Sequence, residues 1–391
     1  MGEIMRTYES INEKIKAGTV VVVTAEEVVD IVKEIGIEKA TKKIDVVTTA
    51  TFGPMCSSGA FLNFGHTSPA IRMEQVSLNN VPASGGLAAV DTYIGATEES
   101  SDKGYEYGGA HVICDLIAGK KVKLEATGKG TDCYPRKKVS REVGLDDLNE
   151  AYIYNPRNCY QNYAAAANTT DKPLYTYMGT LLPNVNVVTY STAGTLSPLL
   201  NDPYYRTIGI GTRIFLAGAQ GYVAWRGTQF NSAAERDENG IPKGLGGTLA
   251  LVGDMKEMSK EFIAPAVYEK YGTSLFVGVG IPIPILDEDM MKQVSIGNDK
   301  LETNVLDYSV SDGPKPVLAR VSYEALQSGK IKVAEKEVKT APLASLYKAR
   351  QIADLLKGQI KTGEFYLSKP VQTFDTTSVT KSMVKGADDE N

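Results

Sequence analysis

Apolar and polar positions along the chain alternate between a helical and a strand period. Residues 8–17 predict a short helix, and the β-branched run 19–23 predicts a strand. Thr24 with Glu27 three residues on forms a capping box. The helix it opens carries Val28, Val29, Ile31, Val32 and Ile35 on one stripe. Residues 44–48 predict the next strand, which feeds a Gly- and Pro-rich loop around Cys56. Residues 122–126 predict a strand leading into a second such loop around Cys133, and Asp146 is expected to cap a short helix over 147–152. The run 275–285 reads as a buried strand ending at prolines, and Asp287 as the start of a helix. Leu343, Leu346, Ala349, Ala353, Leu356 and Ile360 give a final helical stripe, with Pro342 at its start.

Strands alternating with helices predict an α/β fold, with a mixed α+β arrangement as the variant. The expected body is a glycine-rich composite sheet with flanking helices and an active site on loops that follow strands. Residues 1–370 read as one composite domain, subdividing if anywhere near 150. Residues 371–391 read as a tail, partly disordered toward its acidic end. Glycine is densest over 208–281. There Gly209-x-Gly211 invites a dinucleotide fingerprint, but its third glycine position is Ile214, so the motif fails. Close backbone packing in a core explains the glycines better. The stretch 152–163 is rich in Tyr and Asn, which suits a substrate-facing wall or a wet interface equally.

The chain has 391 residues, 42% of them hydrophobic, and a net charge of -5. Its basic residues are scattered, which argues against nucleic acid as a partner. No run reaches the ~18 apolar residues of a membrane helix, and the N-terminus has no secretion signal, so a cytoplasmic protein is expected. Four cysteines without a C-x-x-C spacing exclude a disulfide scaffold, a zinc ribbon and a self-contained iron–sulfur site. Only His66 and His111 are present, so a His-rich metal site is excluded and none is expected.

The chemistry falls to the two loop cysteines. Cys133 has Lys129, Arg136, Lys137 and Lys138 nearby in sequence, and positive charge favours the thiolate, the reactive form. Cys114 sits in an apolar run and reads as a core filler; Cys159 is ambiguous.

The Gly-Pro-Met-Cys-Ser-Ser-Gly loop, the Gly-Thr-Asp-Cys-Tyr-Pro loop and the Gly-Ile-Gly-Thr-Arg-Ile block together resemble the homocysteine biosynthesis family, the L-aspartate semialdehyde sulfurtransferases of methanogens and some anaerobes. The resemblance covers residues 8 to about 370. It implies incorporation of sulfide into aspartate semialdehyde to give homocysteine. Cys56 and Cys133 take the paired-cysteine positions, with Cys133 the better candidate for a persulfide. The chain binds no cofactor of its own on this reading, and electrons come from a ferredoxin-like iron–sulfur partner. Lys129, Lys137 and Lys138 are the expected anchors for an acidic donor. Arg72, Arg136 and Arg213 are candidates for the substrate carboxylate, and His66 for a proton relay to the aldehyde oxygen. A second cysteine that resolves the persulfide leaves a Cys56–Cys133 disulfide for the partner to reduce, which requires their loops to converge. Two other readings remain: a redox sensor switched by that disulfide, and a general persulfide carrier. The oligomeric state is open, a homo-oligomer included.

Overall fold

The computed structural model describes residues 6–381. The α/β expectation is borne out: a 14-stranded mixed sheet and a six-stranded sheet are combined with eight α-helices among the described residues. The large sheet begins at Val22–Thr24, which lies parallel to Val46–Pro54. The helices Ala25–Ile35 and Ile37–Lys43 make the crossover, and the Thr24–Glu27 capping box is present with both of its hydrogen bonds. Every other pairing in this sheet is antiparallel. From Val46–Pro54 the order continues through Gly272–Pro284, Arg213–Leu216, Ala219–Arg226, Leu249–Asp254, Glu150–Asn158 and Gly59–Asn63. It then runs through Asp91–Gly95, Val81–Ser84, Gln75–Leu78 and Val122–Thr127 to the edge strand Lys138–Val143.

The glycines of the 275–285 run have a packing reason. Helix Leu346–Thr362 lies on this part of the sheet, and a Cβ on Gly278 would come within 2.8 Å of the Ile352 side chain. Gly280 likewise faces Ile352 and Leu356. Small residues here let the helix seat its apolar stripe directly on the strands.

The smaller sheet runs from Val317–Ser322 through Glu302–Asp307, Ala165–Ala167, Val187–Tyr190 and Lys336–Pro342 to Lys330–Val333. Its own core includes Val188, Tyr190, Leu301, Val305, Tyr323 and Leu326. The chain passes between the two sheets near residue 343. There the Leu343 N–H donates to Tyr190 in the small sheet, and the Ser345 N–H to Phe52 in the large one.

Two local expectations are corrected. The helix expected over 147–152 is a 3₁₀ turn at Leu145–Asp147 followed by the strand Glu150–Asn158. The capping bond falls on Asp147 rather than Asp146, accepting from the Gly144 N–H, and pairing with strands on both sides overrides helix propensity from residue 150 on. This strand also carries the large sheet unbroken through residue 150. The last long helix begins at Leu346 with Ser345 as its N-cap, and Pro342 instead ends a strand. Beyond it, Gln372–Thr373 pairs with Gly209–Ile210, and Asp375 meets Arg226 at 3.0 Å. The rest of the predicted tail, 382–391, lies outside the described residues.

Candidate active site

Pro54 ends the long strand Val46–Pro54, and a tight turn returns the chain to Gly59–Asn63. The Met55 N–H donates to Leu275, and the Ser58 N–H back to Met55, so Cys56 rides on a hydrogen-bonded turn. Buried Asn155 clamps this turn from the neighbouring strand. Its amide donates to Ser58 Oγ at 2.7 Å, and its carbonyl accepts from Ser57 Oγ at 3.2 Å and from the Arg157 N–H at 3.0 Å. Cys56 Sγ lies 3.2 Å from Ser274 Oγ.

The Cys56 thiol opens into a cavity of about 440 Å³ at the junction of the two sheets. Thr51, Gly53 and Pro54 line it from the large sheet; Met178, Ser191 and Thr192 line it from the side of the small one. Arg157 supplies a guanidinium to this cavity, and Tyr160, Tyr163, Tyr177 and Tyr271 supply aromatic wall. Arg157 reaches the cavity because pairing with Leu249–Asp254 slips between Asn155 and Asn158, a bulge that re-aims the side chains. Its Nε–H donates to Thr228 Oγ1 at 3.0 Å, which fixes the fork.

The tyrosines form a chain of hydroxyls. Tyr163 donates to Tyr177 at 3.0 Å, and Tyr177 lies 3.3 Å from Tyr308. Burial pushes the Tyr160 phenol up to about 12. Burial, then the neighbouring Cys56, pushes Tyr271 to about 12 as well. Burial raises Tyr163 and Tyr308 also, so Tyr160, Tyr163, Tyr271 and Tyr308 stay protonated and able to donate.

Cys133 lies elsewhere. It is exposed at the tip of the hairpin joining Val122–Thr127 to Lys138–Val143, in a turn closed by reciprocal Thr131 and Tyr134 backbone bonds. It borders a separate cavity of about 320 Å³ with Arg72, Glu74, Lys129 and Tyr134. His66 stacks on Tyr134 with ring centroids 6.4 Å apart, on the Cys133 side of the molecule. Arg136 spends its guanidinium on the Ser68 and Pro69 carbonyls, at 2.7 and 3.0 Å. Arg213 bonds the Tyr366 carbonyl and borders neither cavity.

The two cysteine loops do not converge within one chain. Cys56 precedes Gly59, whereas the Cys133 hairpin packs on the loop after Asn63, its Arg136 N–H donating to Ala70. They thus flank opposite ends of a five-residue strand, about 14 Å long at a strand's usual rise. Between Gly59–Asn63 and Val122–Thr127 the sheet interposes three strands, roughly 19 Å of lateral travel at the usual spacing. A disulfide needs Cα atoms within ~7 Å.

Cys114, on helix Gly109–Ile117, and Cys159 are held protonated by burial; the Cys114 thiol is pushed up to about 12. Arg157, Ser274 and the tyrosines from distant segments were not among the residues singled out from sequence. The Tyr- and Asn-rich stretch 152–163 was the available signal, since Arg157 stands in its middle and Tyr160 and Tyr163 line the cavity.

Residues 20–367 match the family described as homocysteine biosynthesis enzyme, sulfur-incorporation. The chain is 49% identical over 380 residues to an L-aspartate semialdehyde sulfurtransferase of Methanosarcina acetivorans, covering 97% of this chain and 74% of the relative. It is also 49% identical over 385 residues to a protein of the same name from Methanocaldococcus jannaschii, covering 95% and 73%. An uncharacterized protein of Methanothermobacter thermautotrophicus is 28% identical over 337 residues, 84% of this chain and 73% of that one. No solved structure matches. With nearly the whole body matched, and both cysteine loops inside the matched span, the chain belongs to the sulfur-incorporating homocysteine biosynthesis enzymes.

Proposed function

We propose that the chain transfers sulfur to L-aspartate semialdehyde, giving L-homocysteine, and that the acceptor binds in the Cys56 cavity. The observation that carries this reading is the union of the Cys56 thiol, the Arg157 guanidinium and several protonated phenols around about 440 Å³. A small amino acid aldehyde needs those three things. Its carboxylate pairs with Arg157. Its carbonyl carbon faces sulfur borne on Cys56. Its oxygen accepts from a tyrosine hydroxyl as negative charge develops there. His66, set against Tyr134, serves the Cys133 side in this account, and Arg72 is the cation beside that cysteine.

The atoms balance with one two-electron input. Hydrosulfide opening a disulfide between Cys56 and Cys133 gives one thiolate and one persulfide. The outer persulfide sulfur adds to the aldehyde carbon, and the oxygen takes a proton. A thiolate then attacks the enzyme-bound sulfur, which restores the disulfide and frees a hydroxy-thiol. Loss of water gives a thioaldehyde, and two electrons with two protons give the thiol. Those electrons come from a ferredoxin-like iron–sulfur partner.

Anaerobic turnover with sulfide, the semialdehyde and a reductant tests the reading. Homocysteine should form with the wild-type chain and not with Cys56→Ser; undiminished product from that variant overturns it. A sensor switched by a Cys56–Cys133 bond inside one chain is the weaker alternative, because those cysteines lie beyond opposite ends of a strand.

A further inference from the structure

We propose that the site is completed by a second copy of this chain, whose Cys133 hairpin enters the Cys56 cavity. The inference rests on the sulfur-transfer reading above, in which both cysteines handle the same sulfur atom. Within one chain the two cysteines border separate cavities, with three strands between the strands that carry their loops. Cys133 stands exposed at a hairpin tip, while Cys56 faces a cavity open to solvent. A projecting thiol and a recessed one are complementary shapes.

Charge supports the same partner. Glu98 and Glu99 follow Thr97 of the cavity wall, and Glu269 lies two residues before Tyr271. All three are exposed and have no ion pair among the described residues. Lys270 nearby is drawn over the Tyr175 ring, and the three carboxylates outnumber it and Arg157 around the cavity. The hairpin is cationic despite Asp132. Lys137 and Lys138 are exposed without a partner among the described residues, and Lys129 makes only a loose 3.6 Å contact with Glu74. A two-fold pair makes the hairpin-to-cavity contact twice, because a contact of patch i with patch j is repeated as j with i. The same lysines would suit an acidic electron donor. Only a second copy, however, also supplies the missing cysteine.

The transfer between copies is redox-neutral. The Cys56 thiolate of one copy attacks the outer sulfur of the other copy's Cys133 persulfide. One S–S bond forms on Cys56 as one breaks on Cys133, whose thiolate departs. After addition to the aldehyde, that thiolate attacks the Cys56 sulfur and closes a disulfide between the copies. Hydrosulfide reopens it at Cys133.

Cys56→Ser and Cys133→Ser chains, co-expressed with different tags and purified through both, test the proposal. Each variant alone should be inactive. The hybrid should recover roughly one half of the wild-type rate per dimer, since one of its two sites is intact. Mild oxidation of the wild type should give a covalent dimer linked Cys56 to Cys133, and neither single variant should give that linkage. An inactive hybrid, failure of the two tags to co-purify, or an intrachain Cys56–Cys133 linkage in a monomer overturns the proposal and leaves the Cys56 cavity reading intact. Full activity of Cys133→Ser also overturns it. Lysine reversals that slow only turnover with a protein donor, with no covalent dimer, would assign the hairpin to that donor instead. Loss of the wild-type activity itself would be a failure of the earlier reading.

Discussion

Cys56, on its turn, and Ser274, on the strand Gly272–Pro284, face each other at 3.2 Å, thiol to hydroxyl. The serine comes from Gly272–Pro284, whose Leu275 carbonyl also holds the Cys56 turn. The nucleophile is therefore fixed against a strand that is buried over nearly its whole length. A hydroxyl donating to a charged sulfur contributes roughly 1.5–3 kcal/mol. Ser274→Ala should lower kcat about tenfold with little change in KM, and should slow alkylation of Cys56 by iodoacetamide. Unchanged alkylation and turnover would remove Ser274 from the site.

Arg157 carries the expected grip on the substrate carboxylate. Its fork is pre-aimed by Thr228, and lysine cannot reproduce a bidentate pair. Arg157→Lys should raise KM for the semialdehyde roughly 10- to 100-fold, about 1.4 kcal/mol per decade. KM for the reductant should not move. A variant with normal semialdehyde KM would mean that another group binds the carboxylate.

Part of the scaffold was legible in the sequence, for identifiable reasons. The Thr24–Glu27 capping box, the 275–285 strand and the 343–360 stripe are local patterns whose burial needs no distant partner to be recognised. The failures came where tertiary pairing overrode local preference. Residues 150–158 became a central strand because strands from both sides claimed them. The site was half legible. Cys56 was identifiable from its loop, but Tyr177, Tyr271 and Ser274 reach it from segments more than a hundred residues away. Arg157 was passed over because proximity in sequence to cysteine or glycine selected Arg72, Arg136 and Arg213 instead. A β-bulge, invisible to composition, is what turns Arg157 inward.

Thiol reactivity should separate the four cysteines. Cys133 is exposed and Cys56 opens into a cavity, whereas burial keeps Cys114 and Cys159 protonated. At pH 7.5, limited alkylation followed by peptide mapping should label Cys133 and Cys56 and spare the other two by at least about tenfold. Cys159→Ala should retain activity although Cys159 borders the cavity. Rapid labelling of Cys159 in the folded protein would contradict the burial argument.

Acid should weaken the Gly109–Ile117 helix through His111. Its Nδ1 accepts from the Gly108 N–H at 3.0 Å, and burial lowers its pKa from the usual 6.5. The unfolded chain therefore takes up the proton first as pH falls. This contribution is complete above about pH 6.5 and is lost as pH drops from there toward the folded value. The cap is worth ~1 kcal/mol. His111→Ala should lose about that much stability at pH 8 and show a flatter urea midpoint between pH 7 and pH 5 than the wild type. An equal pH dependence in both proteins would exclude His111 as the titrating group.

In the proposed mechanism, sulfur meets the aldehyde carbon on Cys56. Anaerobic incubation of the disulfide form with sulfide and the semialdehyde, without reductant, followed by rapid acid quench and non-reducing peptide mass mapping, tests it most directly. The peptide containing Cys56 should carry the semialdehyde skeleton joined through one added sulfur, and Arg157→Lys should diminish that adduct at limiting substrate. The same adduct on the Cys133 peptide, formed equally well in Cys56→Ser, would contradict the account.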